Sequence, residues 1–152
     1  MKATACFAAA LAILALNAEA LSAPTPSVKD AWVRATIPGA AVSAVYFTVT
    51  VESTTPLKLV KAETPVAGIV ELHDMKMKDG VMEMKAEKAF DLPAKGTLEL
   101  KPGGKHVMLF KVKNPIKVGD KVPLTLTFQG ADKKSQTVKV EAIAKAQEGG
   151  HH

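Results

Sequence analysis

Apolar and polar positions alternate along most of the chain. Val45, Phe47, Val49 and Val51 alternate with Ala44, Tyr46, Thr48 and Thr50. Val122, Leu124, Leu126 and Phe128 alternate with Pro123, Thr125, Thr127 and Gln129. A two-residue period held over four pairs marks a strand with one buried face. Weaker runs of the same kind lie at 28–34, 57–63, 68–77, 81–88, 97–101, 105–112 and 136–143. Turn residues separate them: Ile37-Pro38-Gly39, Asp79-Gly80, Pro102-Gly103-Gly104, Gly119-Asp120 and Gly130. Helical periodicity is nearly absent after the first twenty residues. Nine short strands with regular turns predict an all-β chain folded as an antiparallel β-sandwich or barrel. There is no internal repeat and no long linker. Residues 144–152 read as a frayed, flexible C-terminal tail, which leaves 21–143 as one β domain.

The first twenty residues, MKATACFAAALAILALNAEA, have a different character. Lys2 is followed by an apolar run over residues 3–16 and then by Ala18-Glu19-Ala20. This is the charged, apolar and small-residue order of a secretory signal peptide, cleaved after Ala20. The run falls short of the roughly twenty apolar residues a spanning helix needs, so stable membrane insertion is not expected. Cleavage after Ala23 is disfavoured because Pro24 would follow. Cys6 precedes the apolar run, which is the wrong place for a lipid-modified cysteine.

Cys6 is the single cysteine of the chain, so the processed protein would have none. That excludes a disulfide, a thiol nucleophile and a thiolate metal ligand. The formal charge is +5, and it survives cleavage because Lys2 and Glu19 cancel. The lysines are scattered over strands and turns, often beside an acid, and aromatics are scarce. A nucleic-acid surface would cluster its basic residues and interleave aromatics, so no nucleic-acid partner is expected.

The candidate chemistry is concentrated in residues 71–110. Every methionine except the initiator lies there, as Met75, Met77, Met82, Met84 and Met108, together with two of the four histidines, His73 and His106. Asp79-Gly80 predicts a two-residue type I′ hairpin, because that turn needs positive φ at both central positions. Such a turn sets Lys78 opposite Val81, Met77 opposite Met82 and Met75 opposite Met84. His73 then lies diagonal to Met84 on the same face. His106 and Met108 are two apart, so a strand projects both from one face, with Val107 and Leu109 pointing the other way. Any one of these methionines could be core or surface filler. Their confinement with both histidines points instead to a metal site. Thioether and imidazole without thiolate or clustered carboxylate favour copper, above all soft Cu(I), whereas zinc sites favour Cys, His and carboxylate.

The spacing carries a resemblance. His73 is followed after ten residues by Met84, Met84 after twenty-one by His106, and His106 is followed by Val107-Met108. Together with DAWVRATIPGAAVSAVYFTV, VELHDMKMKDGVMEM, LKPGGKHVMLF and VGDKVPLTLTF, this resembles the periplasmic copper chaperones of the PCuAC type, associated with assembly of the copper-A centre of cytochrome c oxidase. The resemblance covers nearly the whole processed chain. It implies a cupredoxin-like β-sandwich, a Cu(I) site made by His73, Met84, His106 and Met108, and delivery of copper to an acceptor, commonly with Sco-type thioredoxin-like partners. It leaves Met75, Met77 and Met82 outside the ligand set. Trp32 and Arg34 also match the family; Trp32 is expected in the core and Arg34 in a surface or structural pair.

A periplasmic copper carrier, monomeric and without enzymatic activity, is therefore the expectation. A blue-copper electron-transfer protein would need a cysteine ligand. A metal-independent structural or adhesive sandwich, with methionine used for packing, is the alternative. Hydrolase motifs and phosphate loops are lacking. His151 and His152, behind two glycines, are candidates for a weak auxiliary Cu(II) site.

Overall fold

The computed structural model describes residues 24–146. The expected signal peptide and the histidines at 151 and 152 lie outside the described residues. Ten strands form: β1 (Ser27–Arg34), β2 (Val42–Thr50), β3 (Leu57–Glu63), β4 (Ala67–Lys78), β5 (Val81–Glu87), β6 (Phe90–Leu92), β7 (Thr97–Glu99), β8 (His106–Val112), β9 (Lys121–Gly130) and β10 (Ser135–Lys145). They hydrogen-bond in the order β5-β4-β8-β2-β1-β10-β9-β3-β6, with β7 also paired to β2. The sheet folds back on itself, bringing β3 beside β4 and β6 beside β7. The result is a cupredoxin-like β-sandwich around a single apolar core.

The alternation in the sequence explains that core. Val45, Phe47 and Val49 of β2 point inward, as do Val122, Leu124, Leu126 and Phe128 of β9, and all are buried. They meet Leu72 of β4, Val107 and Leu109 of β8, and Phe90 and Leu92 of β6. Strand β6 was not expected. It is three residues long, too short to show a period, and it is held by the burial of Phe90 and Leu92 against β3.

Two other features differ from the sequence reading. The sheet is antiparallel except where β1 meets β10, which run parallel with Trp32 beside Ile143 and Arg34 beside Lys145. Parallel neighbours cannot be joined by a hairpin, and here the whole intervening chain makes the connection. Strand β10 also runs to Lys145, and Ala144 is buried in the core, so order extends two residues past the expected start of the tail.

The β4–β5 hairpin is as expected. Asp79 and Gly80 have φ of 49° and 79°, and the ladder sets Lys78, Met77 and Met75 opposite Val81, Met82 and Met84. At Gly80 an added Cβ would meet nothing within 4 Å, so it is the left-handed backbone rather than space that favours glycine.

The inward residues of β8 are what hold its outward residues in place. Leu109→Ala should cost about 2–5 kcal/mol, read from the urea midpoint of the processed protein. A cost under half a kcal/mol would contradict the packing described.

Candidate metal centre

Each strand of the β4–β8 ladder buries one face. Leu72 and Val107 are direct partners and point into the core. The next pair along, His73 and His106, must therefore point outward together. Their ring centroids are 5.7 Å apart with 43° between the planes. Both are nonetheless buried, at 8% and 3% exposure. The outer face at this place is roofed by its own side chains. The Phe110 ring lies 5.8 Å from that of His73, and the Tyr46 ring 6.3 Å from that of His106.

The hydrogen bonds of the two imidazoles match. His73 donates from Nε2 to the Glu71 carboxylate at 2.7 Å. His106 donates from Nδ1 to the Gly104 carbonyl at 3.0 Å. That carbonyl also accepts the Met75 N–H at 3.3 Å, which ties β4 to the turn preceding β8. Each histidine thus spends one ring nitrogen on an acceptor beside it. The other nitrogen of His73, Nδ1, is buried and has no hydrogen-bond partner. An orphaned buried imidazole nitrogen has a desolvation cost with no return from the protein itself.

The surroundings of His106 disfavour its charged form. Its pKa is lowered from the ordinary imidazole value, chiefly by burial. The neighbouring His73 and Arg34 add to the lowering, while the Gly104 hydrogen bond and Asp74 oppose it. Behind this pair, on the inner side, the buried Asp74 carboxylate is met by Lys105 at 3.7 Å and Lys76 at 3.5 Å.

The methionines complete the arrangement by register. Met108 sits between Ala44 of β2 and Glu71 of β4, on the face of His106, and is half-buried. Met84 is opposite Met75, two residues along the ladder from the His73–Ala86 pair and on the same face, and is exposed. All four expected residues therefore share one face of three adjacent strands, β5, β4 and β8. Among the described residues no three His, Cys, Asp or Glu side chains gather as a metal cluster. The donor set here is two imidazoles with thioethers beside them, a soft set.

Several residues of this face were not anticipated. Trp32 is not in the core. It lies on the outer face, stacked on Tyr46 with centroids 4.6 Å apart, because Val33 takes the inward position. Arg34 does form a structural pair, donating from Nη2 to the Tyr46 hydroxyl at 2.7 Å. Burial raises the Tyr46 pKa, against the lowering effect of Arg34. Parity alone would have placed Trp32, Arg34 and Tyr46 on the side of His106, since Val33 and Val45 are the inward residues. Glu71 carried the same signal, two residues before His73.

Comparison with known proteins places the chain in a family. The family model described as "Putative lipoprotein LpqE-like" matches residues 27–141. Lxx21020 of Leifsonia xyli subsp. xyli is 33% identical over 122 residues, 80% of this chain and 72% of that protein. RP573 of Rickettsia prowazekii is 30% identical over 99 residues, and the match spans only 55% of its length. Among solved structures, apo-DR1885 from Deinococcus radiodurans is 34% identical with a TM-score of 0.60, covering 99% of this chain and 100% of that one. Its Cu(I) form matches at 34% identity and a TM-score of 0.56, covering 90% and 87%. The copper-bound PCuAC domain of PmoF2 shares the fold, with a TM-score of 0.67 at 23% identity, covering 82% and 96%. With a family match spanning nearly every strand and relatives at this level of identity, the chain belongs to the LpqE-like family.

Proposed function

We propose that this protein is a copper carrier. It binds one Cu(I) through His73, Met84, His106 and Met108, and passes the ion to an acceptor protein. The observation that carries this reading is the pair of adjacent imidazoles, each held through one N–H by a neighbouring acceptor, with Nδ1 of His73 buried and unpartnered. Metal-bound histidines are held in this way, the second nitrogen bonded to a carboxylate or carbonyl that fixes the tautomer and keeps the donor nitrogen unprotonated. Imidazole and thioether beside each other suit a soft monovalent copper ion. A 34%-identical protein of nearly the same extent, DR1885, has been solved with Cu(I), which supports the same cargo here.

The chemistry also suits release. All four donors are neutral, so no anionic ligand must be reprotonated when copper leaves. A cysteine-bearing acceptor, such as a Sco-type protein or the copper-A site of cytochrome c oxidase, would bind the ion through thiolates and so draw it away. The setting is the periplasm. The signal-like leader and the lipoprotein description of the family favour export, and a site without cysteine is not lost to disulfide formation there. The protein acts as a monomer and turns over no substrate. A packing role for the methionines, the metal-independent alternative, does not account for Met84, which packs into no core.

Met84→Leu and Met108→Leu keep apolar volume and should leave the fold intact. Each should weaken Cu(I) binding in competition with a calibrated chelator, and X-ray absorption of the parent should count two nitrogen and two sulfur ligands. Parental affinity in both variants would overturn the assignment. Glu71→Gln removes the charge that holds His73 and should lower Cu(I) affinity about 10–100-fold without unfolding the chain. Acid should also weaken binding, because protons compete for the imidazoles while thioethers cannot be protonated. The lowered pKa of His106 moves its share of that loss below the roughly 6.5 of a free imidazole. A competition titration from pH 8 to pH 5 that stays flat would remove the histidines from the site.

A further inference from the structure

The β4–β5 hairpin extends beyond the sandwich. Residues 76–86 are all exposed, and among the described residues β5 is an edge strand with no neighbour on its outer side. The two faces of this projection differ sharply. One carries Lys76, Lys78, Val81, Glu83 and Lys85; the other carries Met75, Met77, Met82 and Met84. Packing cannot explain the second face, since Met77 is 65% exposed and Met82 42%. Four thioethers therefore stand in two cross-strand rows, in water or at its edge.

The register gives these rows their geometry. The pair flanking a two-residue hairpin loop, Lys78–Val81, is the hydrogen-bonded one, so Met77–Met82 and Met75–Met84 fall at non-hydrogen-bonded positions. There opposite Cα atoms are only about 4.5 Å apart and side chains lie close. Along each strand the methionines are two residues apart, about 7 Å. A methionine has three rotatable bonds, so sulfurs from such positions can converge on one ion. No imidazole or carboxylate shares these rungs on that face. The only ligand class that such a donor set selects is a soft cation.

We propose that Met75, Met77 and Met82 form a second, all-thioether site for Cu(I) at the hairpin tip, next to the His–Met centre and continuous with it through Met84. The site stands on its own residues. Neutral thioethers and the lysines of the opposite face make it the weaker of the two. Copper taken at the tip has Met84, the exposed member of the main set, as its next neighbour along the row.

The test is anaerobic Cu(I) titration of the processed chain, residues 21–152, labelled with carbon-13 at the methionine methyls. It is run at neutral pH and again at about pH 5, below the roughly 6.5 of an unperturbed imidazole. The expected result is that the Met84 and Met108 methyls move with the first equivalent at neutral pH, and those of Met75, Met77 and Met82 with the second. The tip response should persist at the lower pH. The triple variant Met75→Leu, Met77→Leu and Met82→Leu should keep the first equivalent and bind the second about ten-fold more weakly or worse. Tip methyls that stay still through excess Cu(I), or a variant that takes the second equivalent unchanged, would overturn the proposal and leave the face as an apolar patch. Movement of the tip methyls without Met84 and Met108 would instead break the four-ligand assignment and uphold the tip site.

Discussion

The burial of Leu72 against Val107 is the contact on which the rest of the site depends. These two residues are partners across β4 and β8, and both point into the core. Because side chains alternate along a strand, fixing that pair inward forces His73 and His106 outward as neighbours. A slip of either strand by one residue would turn its histidine into the core and expose its inward partner, Leu72 or Val107. The hydrophobic effect that closes the sandwich thus also sets the distance between the two imidazoles. No separate interaction is needed to bring them together, although residues 73 and 106 are far apart in sequence.

The surroundings then decide what two adjacent imidazoles can be. In water a pair of this kind would be free to protonate. Here the Phe110 and Tyr46 rings exclude solvent, and the Arg34 guanidinium, fixed on the Tyr46 hydroxyl, adds a positive charge on the same face. At His106 burial and neighbouring positive charge both disfavour an imidazolium and lower its pKa. The acceptors at Glu71 and Gly104 further select which nitrogen carries the proton. The face holds two oriented imidazoles side by side.

Much of this was legible in the chain, and the remainder fails for identifiable reasons. The hairpin register followed from Asp79-Gly80, because a two-residue loop with positive φ permits one pairing. The common face of His106 and Met108 followed from a spacing of two. The encounter of β4 with β8 could not be read from local pattern, since it depends on a non-local pairing; there the long His-to-Met-to-His spacing of a known family supplied what periodicity lacks. Strand β6 was too short to register, and the parallel join of β1 to β10 has no turn to announce it. Trp32 was misplaced because a large aromatic was assigned to the core by type rather than by parity. Val33 beside it already held the inward position. The two extra strand residues, Ala144 and Lys145, were hidden because β10 ends in small and charged residues.

The exposure of the donors adds a direction to the site. His73 and His106 are buried, Met108 is half-buried, and Met84 lies at the exposed edge strand. A ligand-exchange reaction needs the incoming group to reach the ion before the outgoing one has left. At the proposed centre of these four residues, a thiolate from a partner protein would meet Met84 first, since the imidazoles are shielded by Phe110 and Tyr46 and held by Glu71 and Gly104. Displacing a neutral, mobile thioether costs less than breaking an oriented imidazole contact whose freed nitrogen would be left buried and unpartnered. Exchange would therefore begin at the β5 edge and end at the histidine pair. On the proposed function, the same asymmetry that leaves Met84 in water would make the buried pair the last to let go and would keep the ion bound until an acceptor had engaged it.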